Sequence, residues 1–147
     1  MSYSPLIIAN KIVRLKKNNL TIMELLKLQY ISHGYSLAIF DKPLFNGVVQ
    51  AWPYGPVIPE VYNAFRNPQG INIIEPIPTQ EIVEIDEDLS SIIAGIVDLY
   101  KEKDGWDLSV LTHENNSPWT QTVATGGFYS EIPNSLTKEY YKHLIEK

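Results

Sequence analysis

The 147-residue sequence contains no cysteine, so it forms no disulfide, offers no thiolate to zinc and has no cysteine nucleophile. That absence suits a reducing compartment, and the expected setting is the cytoplasm. Histidine is scarce: His33, His113 and His143 fall on three different predicted helices. His113-Glu114 opens like a helical zinc motif, but Ser117 stands where the second histidine would be. No glycine-rich phosphate loop ends in Lys-Ser/Thr, and no Gly-x-Ser-x-Gly elbow occurs. The carboxylates from Glu84 to Asp88 are too loosely placed to form an acid–base pair. The expectation is a non-enzyme with no catalytic residue, no cofactor and no bound metal. Long apolar runs are missing as well. Leu6-Ile7-Ile8-Ala9 is short for a signal core and is soon followed by Lys11. Nothing approaches the roughly 20 apolar residues of a membrane span, so a soluble protein with no membrane partner is expected.

What is present supports a folded core. Hydrophobic residues make up 44% of the chain, enough for one compact domain over residues 1–147. The net charge of −5 is unevenly spread. Lys11, Arg14, Lys16, Lys17 and Lys27 face only Glu24 in the first thirty residues. Between Glu75 and Asp107 ten acids face Lys101 and Lys103. Such a stretch is either a solvated face or an attractor for a basic partner, and it repels phosphate. A basic first helix followed by a second helix invites comparison with a helix-turn-helix. The start of the second helix, however, offers Ile22, Met23, Leu25 and Leu26 instead of polar groups for base edges. DNA binding by this chain alone is therefore not expected.

Local patterns give a mainly α fold: six to seven helices, with a small antiparallel β-hairpin after the second. Ser4-Pro5 starts a first helix, and Thr21-Ile22-Met23-Glu24 is a capping box for a long second helix to about Phe40. Asn46-Gly47, flanked by Leu44-Phe45 and Val48–Trp52, is a two-residue turn signal and predicts the hairpin there. A short helix from Pro59, a brief extended piece at 71–74 and an acidic loop over 75–87 follow. Asp88 is the expected cap of the next helix. Trp106–Glu114, with Trp106, Val110 and Leu111 inside, a helix from Ser117-Pro118 carrying Trp119, and a last helix capped by Asn134 or Ser135 complete the chain. His33, in an apolar helix, is expected to be a hydrogen-bonded core histidine. His113 has three readings: a loop anchor, an acid–base group, or a helix-end cap.

The segment from Ala51 to Tyr62 is the most distinctive. Trp52, Gly55 and Ile58 each precede a proline, which stiffens the backbone, while Gly55 permits a turn a side chain would forbid. Two readings stay open: a rigid elbow presenting Trp52 and Tyr54 for recognition, or a strand-to-helix corner locked on the core.

Three blocks taken together carry a resemblance. They are Lys27-Leu28-Gln29-Tyr30-Ile31-Ser32-His33-Gly34-Tyr35-Ser36-Leu37-Ala38 with Lys42-Pro43-Leu44-Phe45, the elbow from Ala51 to Tyr62, and Leu108–Glu114 followed by Ser117-Pro118-Trp119. Their order and spacing resemble the Panacea domain, the family of SocA-like antitoxins and phage-associated GepA-like proteins. The resemblance implies a small helical antitoxin that binds and neutralises a cognate protein toxin encoded by an adjacent gene. For SocA it also includes an adaptor role that delivers the toxin to a AAA+ protease, although no residue here signals such docking. The partner-binding residues it implies are Trp52, Tyr54, Gly55, Pro56, Val57, Tyr62, Thr112, His113 and Trp119. The alternatives are a phage- or mobile-element-associated regulatory interaction module, or a hydrolase using His113 with Glu114 or His33.

Overall fold

The second helix organises the molecule because it is apolar on nearly every side. A computed structural model describes residues 3–17, 20–66, 76 and 83–146. Among these are seven helices: α1 (Pro5–Lys16), α2 (Ile22–Phe40), α3 (Pro59–Phe65), α4 (Glu87–Leu99), α5 (Gly105–Thr112), α6 (Pro118–Gly126) and α7 (Asn134–Glu146). Two short strands, β1 (Gln50–Trp52) and β2 (Gly55–Val57), lie between α2 and α3. The expected mainly α class with a small hairpin after the second helix is therefore observed. Helix α2 starts on its capping box, with the Thr21 hydroxyl accepting from Glu24 N–H and the Glu24 carboxylate accepting from Thr21 N–H, both at 3.2 Å. Every residue from Leu25 to Gly34 is buried, as α1, α3, α4, α5, α7 and β2 all pack around this helix.

Two residues of α2 fix how its neighbours sit. Gly34 lets α7 approach: a Cβ there would lie 2.2 Å from Tyr141 Cδ2. Tyr141 in turn meets Tyr35 with ring centroids 5.0 Å apart and Tyr30 edge-on at 6.2 Å. His33 is the expected hydrogen-bonded core histidine. Its Nδ1 accepts from Leu44 N–H at 3.1 Å, so Nε2 carries the proton and donates to Asn134 Oδ1 at 3.0 Å. One imidazole thus ties the loop after α2 to the start of α7.

The hairpin lies further along than Asn46-Gly47 predicts. β1 pairs antiparallel with β2 in the register Gln50↔Val57, Ala51↔Pro56, Trp52↔Gly55, so the connecting residues are Pro53-Tyr54. Asn46-Gly47 does turn, with Gly47 at φ +130°. However, Leu44 and Phe45 are buried, and Asn46 N–H donates to Tyr3 O at 2.7 Å instead of to a partner strand. The outer edge of β1 is taken by residues 129–132. Tyr129 N–H donates to Ala51 O, Ala51 N–H to Ser130 O, and Ile132 N–H to Val49 O, at 2.7, 2.9 and 2.7 Å.

The inward face of α5 also differs from expectation. Gly105, Leu108, Ser109 and Thr112 face in, whereas Trp106 and Val110 are exposed and Leu111 is half-buried. Ser109 and Thr112 turn inward because they meet the hairpin, and Gly105 does so because it packs against Met23. The cap of α4 is Asp86, which accepts from Asp88 N–H at 2.8 Å. The extended piece expected at 71–74, and most of the acidic loop, lie outside the described residues. Among the described residues no helix is long and apolar enough to cross a membrane.

Burial lowers the His33 pKa from 6.5 to about 4, against a smaller opposing effect of the Asn134 hydrogen bond. The unfolded chain therefore takes the proton first. This contribution to stability is complete above pH 6.5 and is lost as the pH falls towards 4, about 3 kcal/mol in all. Urea midpoints measured across that range should fall more steeply for the unmodified protein than for His33→Gln.

Candidate functional site

The tip of the hairpin carries an unusual set of hydrogen bonds. Pro53 and Pro56 have no N–H, and both stand where the hairpin needs none: Pro53 is the first connecting residue, and Pro56 faces Ala51, whose N–H is turned outward to Ser130 O. The carbonyls of this stretch take further donors from elsewhere. Side chains from three helices supply them. Trp119 Nε1 on α6 donates to Trp52 O at 2.7 Å. His113 Nε2, at the end of α5, lies 3.3 Å from Pro53 O. Ser109 Oγ on α5 donates to Tyr54 O at 2.7 Å, and Lys27 Nζ on α2 donates to Pro56 O at 3.1 Å. Three carbonyls within five residues thus accept from side chains far away in sequence, and the His113 ring stands against a fourth.

Gly55 sits where these groups converge. Its φ is +116°, a region that L side chains rarely adopt, and a Cβ would come within 2.9 Å of Lys27 Cε and 3.1 Å of both His113 Cε1 and Thr112 Oγ1. Thr112 turns its hydroxyl back to Ser109 O at 3.0 Å, leaving its side chain flat against the glycine. The other ring nitrogen of His113 lies 2.5 Å from Ser109 O, and the ring packs on Trp119 with centroids 3.9 Å apart. Trp52 packs edge-on against Tyr62 at 5.0 Å and against Tyr129 at 5.6 Å.

Lys27 is the costly member. Its side chain is fully buried, its partner is a carbonyl instead of a carboxylate, and burial lowers its pKa from 10.5 to about 8. It nevertheless carries its charge at neutral pH, which makes its hydrogen bond to Pro56 O a charge-assisted one.

All nine residues expected to bind a partner lie on or against this hairpin. Tyr54 is exposed; Trp52, Tyr62, His113 and Trp119 are half-buried; Gly55, Pro56, Val57 and Thr112 are buried. Both ring nitrogens of His113 face backbone carbonyls, an arrangement that positions the hairpin tip. Among the described residues no three His, Asp or Glu side chains converge as a metal site. Residue-by-residue reading missed Lys27 and Ser109 as anchors. A lysine in the middle of an apolar helix was the available signal for the first; a serine four residues before His113 was too common a pattern to mark the second. Beside the tip, Pro53, Tyr54, Trp106, Val110, His113 and Glu114 border an open groove of about 780 Å³.

Lys27, Gly55, Thr112 and His113 all fall within one segment that matches a known family. The sequence model for the antitoxin SocA-like, Panacea domain family matches residues 25–120, well over half of the chain, and the protein belongs to that family. Among individual relatives it is similar to antitoxin SocA of Caulobacter vibrioides (strain NA1000 / CB15N), with 28% identity over 113 residues. That alignment covers 71% of this chain and 60% of the relative, so the chain spans less than two thirds of that protein's length. No solved structure matches it.

Two outcomes test the site as built. Gly55→Ala should lower stability by about 1–3 kcal/mol in urea unfolding, since alanine must adopt a disfavoured φ against three neighbours. The folded protein releases the Lys27 proton near pH 8, whereas the unfolded chain holds it to 10.5, so the unfolded state binds more protons in between. Stability should therefore gain a rising component from pH 8 to 9.5, absent in Lys27→Met. Above pH 10 the buried Tyr30 and Tyr141 hydroxyls, whose pKa values burial raises, reverse the trend.

Proposed function

We propose that this chain is an antitoxin that neutralises a cognate protein toxin by direct, stoichiometric binding in the cytoplasm. Family membership supports an antitoxin role, and the construction of the hairpin tip supports capture as its means. The carrying observation is the row of pinned carbonyls from Trp52 to Pro56. A tip held at three carbonyls and braced by the His113 ring loses little conformational entropy when a partner covers it, so more of the contact energy appears as affinity. Tyr54 projects from that tip with most of its ring in solvent. The half-buried edges of Trp52, Tyr62, His113 and Trp119 flank it and extend the partner-binding surface. Tyrosine and tryptophan are the residues that most often dominate binding energy at such surfaces. Capture requires neither a AAA+ protease nor turnover of a substrate.

The cognate toxin is sought as the product of the adjacent gene. Co-expression should restore growth and yield a complex that co-purifies. With purified components, inhibition should end at one antitoxin per toxin; full silencing at a small fraction of that ratio would point to catalysis and sink the proposal. Tyr54→Ala should weaken the complex about 30-fold, equivalent to about 2 kcal/mol, with helical circular dichroism unchanged.

A further inference from the structure

The groove beside the hairpin tip has a surface chemistry that selects its occupant. Tyr54, Trp106 and Val110 line it and are 64, 65 and 56% exposed. Large apolar side chains clustered in one concave surface mark interaction sites more often than chance exposure does. The walls are fixed. Tyr54 stands on the pinned tip, and Trp106 and Val110 stand on α5, whose start is locked by the reciprocal Asp104–Asp107 capping box at 2.9 and 3.2 Å. The aromatics therefore await a ligand in place and need little ordering on binding.

The charge around this face is predominantly negative. Glu114 lines the groove itself. Over residues 102–115 the acids are Glu102, Asp104, Asp107 and Glu114, against the single cation Lys103. Exposed faces of tyrosine and tryptophan also attract cations. A symmetric pairing of two copies through this face would bring like charges together, and a nucleic acid would meet carboxylates instead of cations. The complementary occupant is a protein segment with an apolar side chain for the groove and Lys or Arg beside it.

We infer that the groove between the hairpin tip and α5 receives a basic, apolar-anchored segment of the toxin, with Trp106, Val110 and Glu114 as contact residues additional to the hairpin. This inference rests on the antitoxin reading. The hairpin tip and the groove then act as one surface, with Tyr54 as their shared wall. Apolar burial in the groove slows dissociation, and the carboxylates speed encounter and set the orientation of the segment.

The test uses the full chain, the purified product of the adjacent gene, and overlapping peptides of about 15 residues covering that product. Trp106→Ala should raise Kd at least 10-fold. Glu114→Gln keeps an acceptor for the Tyr140 hydroxyl while removing the charge; it should slow association and flatten its salt dependence. Ile39→Ser, an exposed apolar change outside the groove, should leave binding unaltered. Unchanged urea midpoints confirm that each variant folds. The tightest peptide should carry Lys or Arg next to an aromatic, Leu or Met, and should protect Trp106 fluorescence from acrylamide quenching. Full-strength toxin binding by both groove variants overturns the groove and leaves the antitoxin reading standing. So does a tightest peptide that is acidic, or a Trp106-dependent self-association of the free chain. Failure of the unmodified chain to bind the toxin overturns both.

Discussion

Much of this molecule follows from the need to satisfy backbone carbonyls at a proline-rich hairpin tip. Prolines at 53 and 56 stand where the hairpin needs no N–H, and Trp119, Ser109 and Lys27 donate to the carbonyls around them while the His113 ring braces Pro53. The anchoring is expensive at Lys27. Moving its pKa from 10.5 to about 8 corresponds to roughly 3 kcal/mol against the buried ammonium. A neutral side chain would avoid that cost but could not place a charged donor under Pro56. The glycine between the prolines belongs to the same device, since only a residue without Cβ lets Lys27, Thr112 and His113 close in from three directions.

This constraint spreads into the helices. Ser109 and Thr112 must face the hairpin, so the rotational phase of α5 is set by polar contacts as much as by hydrophobic burial. With that phase fixed, Trp106 and Val110 are left in solvent. The bonds that make the tip rigid thereby also create the apolar strip beside it. On the other side, His33 and Gly34 hold the loop after α2 and helix α7 against the same central helix. The hairpin is consequently supported from below by an element that is itself clamped. A surface built this way suits capture of a partner, where preorganisation matters more than motion.

Helix starts could be read directly because their chemistry is local: Ser4 before Pro5, Thr21 with Glu24, Ser117 before Pro118. The central role of α2 could be read from its lack of a polar face. The hairpin was visible as a kind of element but misplaced, because the Asn46-Gly47 signal says nothing about which strand edges are free. Residues 129–132, some eighty positions away, occupy the edge that matters. The phase of α5 was misread for a related reason. Trp106, Val110 and Leu111 look like its inner face to any hydrophobicity count, and only the docked hairpin gives Ser109 and Thr112 a reason to point inward.

The order of the residues was enough to fix the helical class, most caps, the stiff glycine–proline elbow and the family, since each depends on neighbours within a few positions or on short blocks in series. Contacts across long separations had to form before the rest could be settled: that Lys27 anchors Pro56, that His113 faces two carbonyls, and that Tyr54 and Trp106 border one groove. Hydrogen bonds and packing between residues 29 to 67 apart obey no local periodicity, so only the assembled chain brings those partners within reach.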